Sequence, residues 1–209
     1  MKILLIGFGK VNKCLYEIIH NDVVGIVTET EENIYGIPDV IIDFSHPNAL
    51  DKTIKYCKAY DAKIIIGTTG YNEEKMAQIK EISRYTLVLK SENFSLGIAI
   101  IKNMLINNKS KFKLYNKSII ERHGKNKKDS PSGTALALGK ILQTNNFTCL
   151  RDSNIVGEHT IILENDYEKI TIIHEAFNRE LFIQGILKSL NWLVNQNIGF
   201  YTFEDVNYE

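Results

Sequence analysis

Four apolar residues, Ile3-Leu4-Leu5-Ile6, run straight into Gly7-Phe8-Gly9, and a helix-length segment starts directly behind them. A strand without polar alternation is one covered on both faces, which in a globular chain means helices packed on either side of a parallel sheet. The pattern then repeats. Apolar runs at Val23–Val27, Val40–Phe44, Ile64–Ile66 and Thr86–Leu89 alternate with helix-like stretches at Val11–His20, Leu50–Tyr60 and Asn72–Tyr85. That rhythm predicts an α/β fold whose first half is a doubly wound parallel sheet.

The character changes after Phe94. The spacing predicts a helix over Leu96–Asn108, a strand over Ser118–Glu121, a polar loop over Gly124–Pro131 and a second helix over Thr134–Gln143. Further strands are expected at His159–Glu164, Lys169–Glu175 and Leu181–Ile183, with a turn at Asn165-Asp166. This half reads as an α+β domain with a mixed or antiparallel sheet. A last helix, Gln184–Asn195, carries Ile186, Leu187, Leu190 and Leu193 as one apolar stripe.

Composition removes several classes of function. The 209 residues are 44% hydrophobic, enough for a sizeable core, and 25 basic residues balance 25 acidic ones. Zero net charge gives no electrostatic case for nucleic acid or an anionic membrane, so any anion site is local. No stretch approaches the roughly 18 apolar residues of a membrane span. The three cysteines, Cys14, Cys57 and Cys149, form no CxxC pair and no disulfide framework, and no metal-ligand spacing stands out. A cytoplasmic protein is expected.

The glycine turn carries the first chemistry. Gly7 permits a tight turn, and Gly9 lets a pyrophosphate approach the backbone at a helix start, as in Rossmann-like nucleotide domains. Gly7, Phe8, Gly9, Lys10, Val11 and Asn12 are therefore candidate cofactor contacts, with Asn12 where a third glycine is usual. The same turn also fits any tight βα connection. Glu29, in Thr28-Glu29-Thr30-Glu31-Glu32 after the second strand, is the candidate for the adenosine ribose. With no lysine or arginine near this strand end, three glutamates would repel a 2′-phosphate, so NADH is favoured over NADPH. Gly67, Thr68 and Thr69 end another strand and should face the same crevice, as should Asp43-Phe44-Ser45, although Asp43 or Ser45 also fits as a helix cap.

The densest stretch lies further on: Glu121-Arg122-His123-Gly124-Lys125-Asn126-Lys127-Lys128-Asp129-Ser130-Pro131-Ser132-Gly133-Thr134-Ala135. A strand delivers His123 into a lysine-rich loop that closes on a helix start, where backbone amides favour an anion. His123 beside a bound dianion would gain a proton and serve as a general acid, and Lys127 would add a second charge. Taken alone, the loop also fits a solvated surface. The remaining histidines, His20, His46, His159 and His174, read as packed or surface residues.

These motifs, together with DFSHPNAL at Asp43–Leu50, SENFSLG at Ser91–Gly97, IVGEH at Ile155–His159 and GFYTFEDV at Gly199–Val206, resemble the 4-hydroxy-tetrahydrodipicolinate reductase family. The resemblance runs along essentially the whole chain. It implies reduction of 4-hydroxy-tetrahydrodipicolinate, a small cyclic dicarboxylate, with NADH or NADPH in the diaminopimelate route to lysine. It implies His123 and Lys127 as catalytic residues and Lys127, Gly133 and Thr134 as substrate contacts. Ser91, Glu92, Asn93 and Phe94 join Gly67–Thr69 on the nicotinamide side. It further implies a dinucleotide domain of residues 1–94 with 184–209, a substrate and oligomerisation domain of residues 95–183, and a homotetramer. The family carries a second histidine where this chain has Gly124, which should weaken substrate binding and spare proton transfer. Another small-acid oxidoreductase, or a non-catalytic binding descendant, is the alternative.

Overall fold

A computed structural model describes residues 1–153 and 155–206 and divides the chain into two units, residues 1–94 with 182–209 and residues 95–181. Of the stretch expected to join the dinucleotide domain, residues 207–209 lie outside the described residues.

In the first unit, strands β1 (Ile3–Ile6), β2 (Val23–Val27), β3 (Glu32–Ile34), β4 (Val40–Asp43), β5 (Lys63–Ile66) and β6 (Leu87–Lys90) alternate with helices α1 (Lys10–Ile19), α2 (Leu50–Tyr60) and α3 (Glu73–Ile82). Their sheet has the order β11-β6-β5-β4-β1-β2-β3, with β11 (Gly199–Tyr201) supplied by the C-terminal segment. Every pairing is parallel except β2 with β3. The strands β1, β4 and β6 are buried at every position, as unalternating Ile, Val and Leu require. Leu4, Ile6, Ile41, Ile64 and Ile66 meet Tyr56, Cys57, Ile79 and Ile82 in one core cluster. Each fully buried side chain of this size contributes roughly 1.5–3 kcal/mol.

Strand order reverses between β1 and β4. In open α/β sheets ligands bind beyond the carboxyl ends of the strands at that switch point, which here lies between Gly7 and the Asp43–Ser45 turn.

The second unit holds α4 (Leu96–Asn107), β7 (Asn116–Gly124), α5 (Gly133–Leu142), β8 (Phe147–Ser153), β9 (Gly157–Glu164) and β10 (Lys169–Ala176). Its four strands run in the order β10-β9-β7-β8; β7 and β8 are parallel and the other pairs antiparallel. Ile119, Ile161 and Leu163 of the sheet meet Leu105, Ala135, Leu138 and Leu142 of the two helices.

The main departure from expectation concerns Leu181–Ile183, which form no strand but lie within α6 (Glu180–Trp192). Ile183, Ile186 and Leu190 are its buried residues, a helical spacing that a three-residue window cannot reveal. Three strands were not anticipated: β3 and β11 are three residues each, and β8, FTCLRDS, alternates too little apolar character to stand out.

Candidate functional site

The nucleotide side is built on three turns at the carboxyl ends of β1, β4 and β5. Gly7 has φ +80°, the left-handed region that favours glycine, and a Cβ there would lie 2.7 Å from Ser45 Cβ. Gly9 is the N-cap of α1 and offers no side-chain cap, and nothing lies within 4 Å of where its Cβ would be. An uncapped helix start under open space is what a pyrophosphate needs, so these residues fit a dinucleotide. Asn12, fully buried, donates through Nδ2 to the carbonyls of Ile6 at 3.0 Å and Gly7 at 2.8 Å. It holds the turn from within. Lys10 is exposed and Phe8 and Val11 are half-buried, so only these side chains of the segment reach outward.

Asp43 ties the other two turns together. Its carboxylate accepts from Ser45 Oγ at 2.5 Å, Thr68 Oγ1 at 2.7 Å and Thr53 Oγ1 at 2.7 Å, all within or near the core. Gly67 donates to the Asp43 carbonyl at 2.9 Å, and its missing Cβ leaves room for the Phe44 ring. Thr68 is thus buried in the turn and Thr69 exposed. Beyond β6, Ser91 Oγ donates to the Asn93 carbonyl at 2.7 Å, and buried Lys90 pairs with exposed Glu92 at 2.7 Å. The Phe94 ring sits 1% exposed between Phe44 and Phe203, so its expected cofactor contact is open only to its backbone.

Glu29 is exposed in the β2–β3 turn, which Thr28 closes by donating to the Glu31 carbonyl at 2.7 Å. The expectation that no cation lies near this strand end needs correction. Helix α2 brings Lys52 to 3.1 Å and Lys55 to 3.8 Å from Glu32. The hydrogen bond from Tyr56 and that from Lys52 lower the Glu32 pKa below the usual carboxylate range.

The second unit concentrates its charge around Glu121. Alternation along β7 puts Glu121 and His123 on one face, and the β7–β9 register sets Glu121 opposite His159. The Glu121 side chain is fully buried. Its Oε1 accepts from the Ser132 amide at 3.1 Å and from Arg151 at 2.6 Å, and Arg151 also donates to the Asp129 carbonyl at 2.7 Å. His123 Nδ1 lies 3.0 Å from Oε2 without hydrogen-bond alignment. Burial pushes the Glu121 pKa up, but hydrogen bonds from Ser132, Arg151 and Cys149 and the adjoining His123 outweigh it and bring the carboxyl down to about 2.

His123 stands in the opposite balance. Burial depresses its pKa, the Glu121 charge resists, and Lys127 and Arg151 add to the depression. The depression favours the neutral ring, and a bound dianion would push the balance back. Gly157 makes space for this ring, since a Cβ there would be 2.8 Å from His123 Nε2. Lys127 Nζ pairs with Asp129 at 2.9 Å, and its amide donates to the Gly124 carbonyl at 3.1 Å, so the lysine loop is folded back on itself. Gly133 and Thr134 open α5 behind the N-cap Ser132.

The sequence reading missed Glu121, Arg151, Ser132 and His159 as parts of this site. It also saw no metal-ligand group, whereas the fold sets donor atoms of Glu121, His123 and His159 within 4.8 Å of one another. Arg151 already neutralises that carboxylate and Ser132 already engages His159, which favours a hydrogen-bond network over a cation there.

Comparison with known proteins adds independent findings. The family model for the N-terminus of dihydrodipicolinate reductase matches residues 21–94, and that for its C-terminus matches residues 97–206. The 4-hydroxy-tetrahydrodipicolinate reductase of Thermosipho africanus (strain TCF52B) is 36% identical over 99% of this chain and 97% of its own. That of Buchnera aphidicola subsp. Cinara cedri (strain Cc) is 39% identical over 80% of this chain and 71% of its own. A dipicolinate-bound dihydrodipicolinate reductase from Paenisporosarcina sp. TG-14 shares the fold, with TM-score 0.77 and 16% identity over 99% of both chains.

Proposed function

The chain belongs to the dihydrodipicolinate reductase family, and from that premise we propose that it reduces 4-hydroxy-tetrahydrodipicolinate to tetrahydrodipicolinate in diaminopimelate and lysine biosynthesis. The observation that carries the reading is the buried Glu121–His123 contact placed one loop before the start of α5. An acid-holding histidine and an anion-favouring helix start in one unit suit a substrate that bears two carboxylates and must gain a proton.

The reaction takes in one hydride and one proton and releases the 4-hydroxyl as water. A reduced nicotinamide nucleotide supplies the hydride when bound. Gly7 and Gly9 at the start of α1 hold its pyrophosphate, Glu29 its adenosine ribose, and Gly67–Thr69 with the Ser91–Phe94 backbone its nicotinamide end. Lys127, freed from Asp129, and the amides of Gly133 and Thr134 hold the carboxylates. The incoming negative charge raises the proton affinity of His123, which delivers the proton. Positive groups placed in advance around an electron-poor ring also favour hydride arrival there.

Three finer points complete the proposal. NADH is the preferred cofactor: Lys52 and Lys55 offset Glu32, but no ion pair engages Glu29 or Glu31 among the described residues. The enzyme is a homotetramer, assembled through the sheet face away from α4 and α5. Ile173 is 63% exposed there, and an exposed β-branched side chain midway along β10 supports a partner surface. The compartment proposed is the cytoplasm, in keeping with relatives that are enzymes of small-molecule biosynthesis.

The test couples an upstream synthase that makes the substrate to oxidation of the reduced nicotinamide. Wild type should consume cofactor, and His123→Ala should lower kcat by about 10²–10⁴-fold, the usual worth of a general acid. No substrate-dependent oxidation by wild type would overturn the assignment.

A further inference from the structure

Resting on the reading above, in which the start of α5 binds a substrate carboxylate, we infer that His159 is a positioning residue that sets the orientation of that helix start. The observation is a chain of buried contacts. His159 Nε2 lies 3.1 Å from Ser132 Oγ, and Ser132 Oγ in turn accepts from the Ala135 amide at 3.2 Å as the N-cap of α5. The Ser132 amide donates to Glu121 Oε1 at 3.1 Å. Ser132 is 2% exposed and His159 5% exposed, so water cannot substitute for either partner.

The geometry decides what this chain does. A serine N-cap alone satisfies one amide of the first turn but leaves its own rotamer free to exchange. The imidazole removes that freedom. Held from one side by His159 and from the other by Glu121, Ser132 fixes the backbone immediately before Gly133 and Thr134. Those two residues are where a carboxylate is to be bound, and small errors in amide direction there are costly because hydrogen bonds weaken steeply with misalignment.

The same device occurs a second time in this unit. His174 Nε2 lies 3.0 Å from Ser95 Oγ, and Ser95 caps α4 by accepting from the Ile98 amide at 3.3 Å. His174 is paired directly with His159 across β9 and β10. Adjacent strands thus each send an imidazole to the N-cap serine of a helix. His159 stands apart because its serine also bonds the carboxylate that contacts His123.

Burial depresses the His159 pKa to about 3, with the His123 charge adding to the effect, so the ring is neutral at working pH and accepts or donates one hydrogen bond without introducing charge. It touches neither substrate nor cofactor in this role. It also packs edge-to-face on the His123 ring, with centroids 5.2 Å apart, but its hold on the helix start runs through Ser132.

The test measures binding of pyridine-2,6-dicarboxylate and of NADH to wild type, His159→Leu, His159→Gln, Ser132→Ala and the His159→Leu/Ser132→Ala double variant. Loss of one buried hydrogen bond should weaken dicarboxylate binding about tenfold in His159→Leu and in Ser132→Ala, with NADH binding unchanged. Gln, whose amide reaches the position of Nε2, should restore most of the affinity. The double variant should lose no more than the worse single variant, because both act through one contact. Additive losses, or unchanged dicarboxylate binding in His159→Leu, would overturn the inference. Failure of wild type to bind the dicarboxylate would instead overturn the reading of the site on which it rests. Should His159→Leu not fold, Ser132→Ala and His159→Gln still decide the matter through the dicarboxylate-to-NADH ratio.

Discussion

Glu121 stands directly opposite His159 across the β7–β9 pair, with 4.0 Å between the carboxylate and the ring Nε2, yet the carboxylate is ionised and the ring neutral. Two buried groups that could have formed an ion pair do not. Arg151 satisfies the carboxylate, and burial keeps the proton off the imidazole.

The stability of this protein should therefore fall with acid over two pH windows. Both pKa values are depressed in the native state, to about 3 from 6.5 for His159 and to about 2 from 4.5 for Glu121. In each case the unfolded chain binds the proton first, so stability falls as pH falls. The His159 contribution is complete above its unfolded value and drains away from pH 6.5 toward about 3. That of Glu121 is complete above 4.5 and is lost toward about 2. Urea unfolding should show roughly 2 kcal/mol lost through His159 between about pH 7 and pH 5. His159→Gln should be correspondingly less acid-sensitive over that range; equal slopes for the two proteins would contradict this.

Lys127→Ala should separate catalysis from folding. Its Nζ meets Asp129 at 2.9 Å in a partly exposed pair, with side chains 30% and 53% accessible. Such pairs contribute about 0–1 kcal/mol, so thermal unfolding should barely move. The substrate KM should rise and kcat should fall, because the lysine is assigned a carboxylate of the substrate in both ground and transition states. A variant with normal kinetics would remove Lys127 from the site.

How far the sequence foretold this molecule differs between its two units for a physical reason. The tight turn at Gly7 and Gly9 and the strand runs were legible because a strand–turn–helix unit is local: all three parts lie within 20 consecutive residues. The nearness of His123 and Lys127 was legible for the same reason, one ending β7 and the other four residues on in the loop behind it. Glu121, Ser132, Arg151 and His159 were not, since their meeting depends on the β7–β9 and β7–β8 registers, which no local pattern encodes. His159 read as an ordinary strand histidine until that register was known. The Lys52–Glu32 pair escaped likewise, because α2 packs beside a hairpin far from it in the chain.

Asn12 replaces the small third residue usual in such turns with a clamp. Asn12→Ala removes the donor to the part-buried Gly7 carbonyl and one of two donors to the Ile6 carbonyl, which still accepts from the Phe44 amide at 3.2 Å. Losing such hydrogen bonds costs about 0.5–1.5 kcal/mol each. Chemical denaturation should show that loss, and the NADH dissociation constant should rise while dicarboxylate binding stays as in wild type. An unaltered cofactor affinity would mean that the turn keeps its shape without the clamp.

Cofactor choice should respond to Glu29 and Glu31 and not to Glu32. The last is already met by Lys52, Lys55 and the Tyr56 hydroxyl, so its charge is spent within the protein. Glu29 and Glu31 are exposed at the turn after β2, where the adenosine ribose of a dinucleotide is expected. A 2′-phosphate carries nearly two charges, and each like charge a few ångströms away in a surface environment costs on the order of 1 kcal/mol. Wild type should therefore show a higher kcat/KM with NADH than with NADPH. Glu29→Gln should narrow the ratio about five- to tenfold by improving NADPH and weakening the ribose contact to NADH. Glu32→Gln should leave the ratio within about twofold of the wild-type value, since an exposed ion pair is worth at most a fraction of a kcal/mol there. Equal use of both cofactors by wild type, or a ratio that moves with Glu32 alone, would shift the determinant from the turn to helix α2.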